Sequence, residues 1–137
     1  MSSSKSKVFF DANILLAIIS TSRVNNEISK KLWQYLVLND ITIVTSEDVL
    51  TNIFYISKNK KDVLIFFKLI QNRWEIVPFG KDVISNAIEL SLEKNLDLED
   101  VLQCLCAKEN NCNLLVTSDK KFYDCGIQIA RYDYFEL

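Results

Sequence analysis

The sequence predicts an α/β fold built on a parallel sheet, and three observations lead to that prediction. Short apolar segments rich in β-branched residues alternate along the chain with longer amphipathic segments. Parallel strands need crossover connections, which helices of that length provide. The chain has 137 residues, 49% of them hydrophobic, so it can bury a continuous core. We expect one domain over residues 7–137, with about five strands and helices on both faces of the sheet.

In the first half of the chain, apolar periodicity and capping residues predict two strands and four helices. The strands are Lys7–Phe10 and Ile41–Val44, of which the second is short and β-branched. The helices are a buried one at Ile14–Ile19, one capped by Asn25 or Asn26, one that begins at a capping box of Thr45 with Asp48, and one from about Asp62 to Asn72.

The second half predicts three strands and two helices. The strands are Trp74–Val77, which Pro78 ends, Asn113–Thr117, and Ile127–Ala130. The first helix runs from about Asp82 to Lys94, and its apolar side comprises Val83, Ile84, Ala87, Ile88 and Leu92. The second helix is capped by Asp97 and continues to Ala107.

Residue types that are absent or rare exclude several classes of site. The chain has no histidine, which removes Ser-His-Asp and Cys-His nucleophilic catalysis. Its two glycines, Gly80 and Gly126, are too few for a glycine-rich phosphate loop or a dinucleotide fingerprint. The net charge of −2 argues against a domain that coats nucleic acid with a basic face.

The four cysteines, Cys104, Cys106, Cys112 and Cys125, form no zinc motif, because the CxxC spacing and histidine are both absent. Cys104 and Cys106 lie two residues apart on a predicted helix and therefore face different ways. We expect free, mostly buried thiols in a reducing compartment.

The polar N-terminal tail, residues 1–6, is expected to be disordered. Lys5 and Lys7 precede an apolar stretch, as in a signal peptide, but Asp11 and Asn13 interrupt it and no cleavage site follows. No apolar run is long enough to span a bilayer. We therefore expect a cytoplasmic protein without a membrane partner.

Three acidic residues stand where an α/β fold would place a binding site. Asp11 and Asp119 each follow an apolar run that predicts a strand, and Asp100 lies at the start of a helix. Ligands of open α/β sheets bind outside the carboxyl ends of the strands. Carboxylates that meet there repel one another unless a cation neutralises them, so the pattern predicts a Mg²⁺ or Mn²⁺ site and phosphate-ester chemistry.

Several of these residues also have an ordinary structural explanation. Asp97 and Asp100 match the N-cap and the N3 acid of a capping arrangement, and Asp119 can form a turn. Asn13 and Thr117 either orient the acids or cap a helix and a turn.

Several phrases together resemble the PIN-domain nuclease family, from Lys7 to about Phe135. An Asp-Ala-Asn phrase follows the first strand and precedes an apolar helix. An Asn-Ile-x-Tyr-Ile phrase after the second strand and an Asp-x-Glu-Asp-x-x-Gln phrase late in the chain resemble a VapC-like toxin subgroup. The matching segments are Asp11–Leu16, Asn52–Ile56, Asp97–Gln103 and Val116–Asp119.

The resemblance implies a metal-dependent ribonuclease that hydrolyses RNA phosphodiester bonds, in many bacterial members as the toxin of a toxin–antitoxin pair. An antitoxin and a second copy of the chain are the implied protein partners. Lys120 and Lys121 directly follow Asp119 and are candidates for holding the RNA backbone. The implied metal-binding and catalytic residues are Asp11, Asp100 and Asp119, supplemented by Glu99 or Asp97.

One position departs from the family. Most active PIN domains place a Glu on the helix after the second strand, where this chain has Asn52. An amide oxygen can bind a hard cation, but it carries no charge and cannot act as a base. Glu47, earlier on the same helix, is a weaker candidate because it can simply complement the helix dipole. The departure leaves open a catalytically weak or inactive PIN domain that binds RNA or protein.

A second alternative is a receiver-type signalling domain, in which an acid pair follows the first strand and a phospho-accepting Asp ends the third. Here Asp11 has no acidic neighbour in sequence, and the third predicted strand ends at Val77 and Pro78 without an Asp.

Overall fold

The computed structural model describes residues 6–137, in which strands and helices alternate as predicted. The strands are β1 (Lys7–Phe10), β2 (Thr42–Ser46), β3 (Glu75–Val77), β4 (Leu114–Val116) and β5 (Gln128–Ala130). The helices are α1 (Ala12–Ile19), α2 (Asn26–Leu38), α3 (Glu47–Ile56), α4 (Lys60–Ile70), α5 (Lys81–Lys94) and α6 (Leu98–Glu109), followed late in the chain by a 3₁₀ turn at Tyr132–Tyr134. The predicted disordered tail lies outside the described residues except for Ser6.

The five strands form one sheet in the order β3-β2-β1-β4-β5, and every neighbouring pair is parallel. The predicted parallel sheet is therefore confirmed. A receiver domain has the strand order 2-1-3-4-5, so that alternative is wrong. β1 is central, since Val8 pairs with Ile43 of β2 on one side and with Leu114 of β4 on the other. Its carboxyl end consequently lies in the middle of one edge of the sheet.

Alternating side chains along β1 divide the core between the two faces of the sheet. Val8 and Phe10 pack into the larger hydrophobic cluster, together with Leu15 of α1 and residues of α2, α3 and α4. Phe9 points to the other face and packs in a second cluster with Ala107 of α6. The prediction of helices on both faces is thus confirmed, and β1 is buried on both sides.

None of the helices between residues 6 and 137 has the length and apolar character that a membrane span requires.

The start of α3 differs from the predicted capping box. Thr45 lies within β2, and its hydroxyl donates to the Phe10 carbonyl at 3.0 Å. Ser46 is the capping residue, since its Oγ accepts the N–H of Val49 at 3.1 Å. The cap moves by one residue because β2 continues to Ser46 in register with β3.

The predicted cap of α2 is also corrected. Asn25 occupies the N-cap position, but its side chain makes no capping hydrogen bond. Asn26 is buried, and its amide donates to the carbonyls of Ala17 and Ile18 at 2.8 and 3.2 Å. This asparagine therefore satisfies carbonyls at the end of α1, which otherwise have no helical partner.

The apolar side predicted for α5 is only partly covered. Val83 and Ala87 are buried, whereas Ile84, Ile88 and Leu92 are 43%, 45% and 80% exposed. α5 packs on α6, and contact with a single helix covers a narrower stripe than contact with a sheet.

The prediction of four free thiols is wrong for one pair. Cys104 of α6 and Cys125, between β4 and β5, form a disulfide across 21 residues of sequence. Cys106 and Cys112 are free and buried, as expected. Burial raises the pKa of Cys106 to about 11 and that of Cys112 to about 12, so neither is a ready nucleophile.

Candidate active site

Polar residues gather where the parallel strands end. Asp11 follows β1 directly, and its N–H donates to the Val116 carbonyl of β4 at 3.3 Å. Thr117 follows β4, and its N–H donates to the Ala130 carbonyl of β5 at 3.1 Å. The start of α6 lies beside these residues. We call Asp11, Asp97, Glu99, Asp100 and Asp119 the acidic edge.

Asp11 is the most buried acid of the acidic edge, with 5% of its surface exposed. Its Oδ1 accepts the N–H of Ile14 at 3.1 Å, so the carboxylate caps α1. Burial raises the pKa of Asp11 to about 6, and the negative charge of Asp100 adds to the rise. Hydrogen bonds from the Thr117 side chain and from the N–H groups of Ile14 and Asn13 partly oppose it. Asn13 itself is exposed.

Asp100 lies in the first turn of α6 and is half-buried. Its N–H donates to Oδ1 of Asp97 at 3.1 Å, so Asp97 is the N-cap of the helix. Burial raises the pKa of Asp100 to about 6, and the charges of Asp97, Asp119 and Glu99 raise it further. Asp100 therefore interacts electrostatically with Asp11 as well as with Asp97, Glu99 and Asp119.

Thr117 connects the other two acids. Its side chain bonds to the Asp11 carboxylate, and its Oγ1 accepts the N–H of Asp119 at 3.0 Å. Asp119 is half-buried, and its Oδ1 accepts the N–H of Lys121 at 2.9 Å. The side chains of Lys120 and Lys121 are exposed beside it.

The acidic edge fits a divalent cation by charge and donor type. Asp100 repels both Asp11 and Asp119, and oxygen-only ligands suit Mg²⁺ or Mn²⁺. Within residues 6–137, however, no three acidic or cysteine side chains lie close enough together to hold an ion as they stand. Carboxylates that lack a cation repel one another, so binding requires these side chains to converge.

Asn52 lies beside the acidic edge, but as a hydrogen-bond donor. Its Nδ2 donates to Glu99 Oε1 at 2.6 Å and to Asp48 Oδ2 at 3.1 Å. Because two carboxylates flank the amide, the nitrogen has to face them. The structure thus shows the amide nitrogen of Asn52 bonded to acids of α3 and α6, and a metal-binding role for its oxygen stays a prediction. Burial and the charges of Asp48 and Asp97 raise the pKa of Glu99, and the bond from Asn52 lowers it.

Two polar residues of this region were missed as site candidates. Asp48 accepts hydrogen bonds from Asn52 and from Nε2 of Gln103, at 3.1 Å each, and Ser46 Oγ donates to Gln103 Oε1 at 2.8 Å. The sequence indicates Asp48 only as a capping acid and Gln103 only as part of the Asp-x-Glu-Asp-x-x-Gln phrase.

Glu47, which precedes Asp48, is exposed at the start of α3, as a residue that complements the helix dipole would be.

A third missed residue is Arg131, which follows β5. Its Nη2 donates to the main-chain carbonyl of Asp119 at 3.0 Å. Because its partner is a main-chain carbonyl, the sequence contains no side-chain pairing that would have indicated this contact.

Comparison with known proteins decides the family. The PIN domain family model matches residues 8–127, a range that includes the whole acidic edge. The chain belongs to the PIN domain family. Ribonuclease VapC1 of Aquifex aeolicus (strain VF5) is 39% identical to this PIN domain over 133 residues, which cover 94% of this chain and 92% of that protein. The family resemblance is confirmed.

Two solved structures illustrate the fold. VapC20 of Mycobacterium tuberculosis, a sarcin-ricin loop cleaving toxin, has a TM-score of 0.73 at 13% identity and covers 88% of this chain and 95% of its own. A toxin-antitoxin complex from Klebsiella pneumoniae has a TM-score of 0.70 at 18% identity and covers 95% of this chain and 99% of its own. At such identities these structures show the fold of this PIN domain alone.

The raised pKa of Asp11 predicts that the metal-free PIN domain loses stability as the pH rises. Native Asp11, with a pKa of about 6 against an ordinary 3.8, binds more protons than the unfolded chain between these values. The free energy of unfolding should therefore fall from about pH 4 to about pH 6, by about 3 kcal/mol from Asp11 alone, and level off above. Urea denaturation in a chelating buffer across this range measures the fall.

Asp11→Asn should remove the part of that slope that comes from Asp11, while Asp100, whose pKa is also raised to about 6, keeps a part of its own. Without metal, the variant should be more stable than wild type at pH 7.5, because it buries no charge and its amide oxygen can still accept the Ile14 N–H. Asp82→Asn, which neutralises an exposed carboxylate of α5, is the matched control and should keep the slope. An equal slope in wild type and Asp11→Asn would contradict the raised pKa of Asp11.

Asn52→Glu should destabilise the metal-free protein. It replaces two hydrogen bonds to Asp48 and Glu99 by a third negative charge, a loss of about 2 kcal/mol for a partly exposed site. Mn²⁺ should then stabilise the variant more than it stabilises wild type. Asn52→Gln, which keeps the amide donor, is the control. Unchanged urea midpoints with and without Mn²⁺ would place Asn52 outside the electrostatic reach of the acidic edge.

Proposed function

We propose that this chain is an endoribonuclease that depends on Mg²⁺ or Mn²⁺. The observation that carries the proposal is the repulsion of Asp100 with both Asp11 and Asp119, acids from three separate segments of a PIN domain. The 39% identity to a protein named Ribonuclease VapC1 supports RNA as the substrate.

Asp11, Asp100 and Asp119 would hold the ion, and Glu99 stands beside Asp100 to support them. Asp97 would supplement them with the carboxylate oxygen that does not cap α6. A bound divalent ion supplies an activated water molecule and neutralises charge on the phosphate.

The side chains of this protein control metal loading, orient the acids and bind RNA. Asp11 and Asp100 have pKa values of about 6, so protons compete with the cation below that pH. Thr117 orients Asp11 and Asp119 relative to each other through its two hydrogen bonds. Lys120 and Lys121 are exposed next to Asp119, where they can bind the RNA backbone.

The biological role proposed here is that of a cytoplasmic toxin of a type II toxin–antitoxin pair. The likeness to VapC20 and to a toxin-antitoxin complex supports this role. We infer two protein partners, an antitoxin that covers the acidic edge and a second copy of this chain.

The second candidate function is a catalytically weak PIN domain that binds RNA or protein. The observation that favours it is Asn52, whose amide takes the place of an acid and ties Asp48 to Glu99. Cleavage, or binding without cleavage, separates the two functions.

The proposed nuclease should gain stability from Mn²⁺ and cut RNA only with a divalent ion. At about one hundred times its dissociation constant, an ion that binds only the native state adds about 2.7 kcal/mol. Thermal melting with and without millimolar Mn²⁺, and cleavage of a mixed RNA pool with Mg²⁺ or EDTA, measure the two effects.

Asp11→Asn should lose both the Mn²⁺ response and cleavage while remaining folded, and Asp82→Asn should keep both. RNA binding without cleavage by wild type would favour the second candidate. A melting temperature indifferent to Mn²⁺ would count against the metal site.

Replacing Lys120 and Lys121 together with Ala should weaken RNA binding and leave the Mn²⁺ response intact. The slope of log K against log salt should decrease by about one to two units, because two phosphate contacts are lost. The matched control is the Lys30→Ala, Lys31→Ala pair on α2, which removes the same charge from another surface. An equal change of slope in both double variants would show that these lysines act through net charge alone.

A further inference from the structure

We propose that Arg131 is a positioning residue, whose guanidinium fixes the turn that presents Asp119. The inference rests on the proposed function, because it takes Asp119 as one of the residues that hold the divalent cation.

The sheet register places Arg131 next to the Asp119 turn. Val116 pairs with Ala130, and the Thr117 N–H still donates to the Ala130 carbonyl. Arg131 is therefore the first residue after β5, and it lies beside the turn that follows β4. From there its Nη2 reaches the main-chain carbonyl of Asp119 at 3.0 Å.

Within the described part of the chain, the guanidinium makes one hydrogen bond, the bond to the Asp119 carbonyl. Its side chain is partly buried, and Nε is inaccessible and makes no hydrogen bond within residues 6–137. The ion pair found in that range joins Lys7 to Glu75 and leaves Arg131 without a carboxylate partner. Partial burial of an unpaired guanidinium is costly. The compensation visible in the structure is the bond to the Asp119 carbonyl, so the side chain is placed for that contact.

With Arg131, the Asp119 residue is held by four hydrogen bonds. Its N–H donates to Thr117 Oγ1, its carbonyl accepts from Arg131 and, at 3.4 Å, from the N–H of Phe122, and its Oδ1 accepts from the N–H of Lys121. These bonds fix both peptide groups of Asp119 and one carboxylate oxygen. The second carboxylate oxygen makes no hydrogen bond within the described residues. We call the hydrogen bonds at Asp119 the clamp, and the clamp leaves this oxygen available to a ligand. Thr117 also bonds Asp11, so the clamp sets the position of one acid relative to another.

The test compares Arg131→Gln with Arg131→Lys, which keeps a charged donor, and with Arg23→Gln, which removes an exposed arginine between α1 and α2. The first readout needs no metal. Native-state hydrogen exchange at the Asp119 and Lys121 amides should speed up by about tenfold in Arg131→Gln, the effect of losing one hydrogen bond from a charged donor. Arg131→Lys should recover part of the protection, and Arg23→Gln should match wild type.

The second readout is Mn²⁺ affinity by calorimetry, together with RNA cleavage. Arg131→Gln should bind Mn²⁺ about tenfold more weakly, a factor that one such bond can supply, and at saturating Mn²⁺ it should retain the KM for RNA. A higher KM with unchanged Mn²⁺ affinity would mean that Arg131 contacts RNA and would overturn the positioning role. A lower melting temperature with unchanged exchange at both amides and unchanged Mn²⁺ affinity would show a general structural role instead.

The two proposals fail in different ways. If wild type neither binds Mn²⁺ nor cleaves RNA, the proposed function fails, while faster exchange at Asp119 and Lys121 in Arg131→Gln still shows that Arg131 fixes the turn. If wild type binds Mn²⁺ and Arg131→Gln binds it equally well, the positioning role alone is overturned. Should Arg131→Gln not fold, Arg131→Lys carries the same comparison.

Discussion

The burial of the Asp11 carboxylate at the end of the central strand is the constraint on which the acidic edge depends. A buried carboxylate is costly unless donors satisfy it. Here the start of α1 supplies the Ile14 N–H, and the chain after β4 supplies Thr117. α1 must therefore begin directly after β1, and β4 must pair with β1. The same two requirements bring Thr117, which also accepts the Asp119 N–H, next to Asp11, so one buried charge organises three segments.

Three acids of the acidic edge each give one oxygen to the nearby backbone. Asp11 and Asp97 cap α1 and α6, and Asp119 closes its turn onto Lys121. The scaffold thus occupies Oδ1 of each of these three carboxylates with a backbone N–H. Neutral side chains such as Asn52 connect acids of different helices. The metal-free site is consequently ordered by hydrogen bonds before any cation neutralises it.

The strands and the acids at their ends could be predicted because local patterns specify them. Apolar runs define β1 and β4, and Asp11 directly after the first run and Asp119 three residues after the second can be identified from the sequence. The hydrogen bond of Asn52 to Glu99 could not be predicted, since it joins residues 47 positions apart and depends on how α3 meets α6. Arg131 was missed because its partner is a main-chain carbonyl, which leaves no mark on side-chain patterns. The disulfide was missed because buried cysteines without a spacing motif look like free thiols.

The Cys104–Cys125 disulfide closes a covalent ring that contains the rest of α6, all of β4 and the Asp119 turn. Lys108 Nζ reinforces the ring by donating to the Cys125 carbonyl at 3.1 Å. Native proteins open locally in cooperative units, and a ring cannot release one of its parts without moving the others. β4 and the later turns of α6 therefore belong to one unit of local opening in the oxidised protein. The Asp119 turn is thereby linked to α6 by a covalent bond as well as to β4 by the chain.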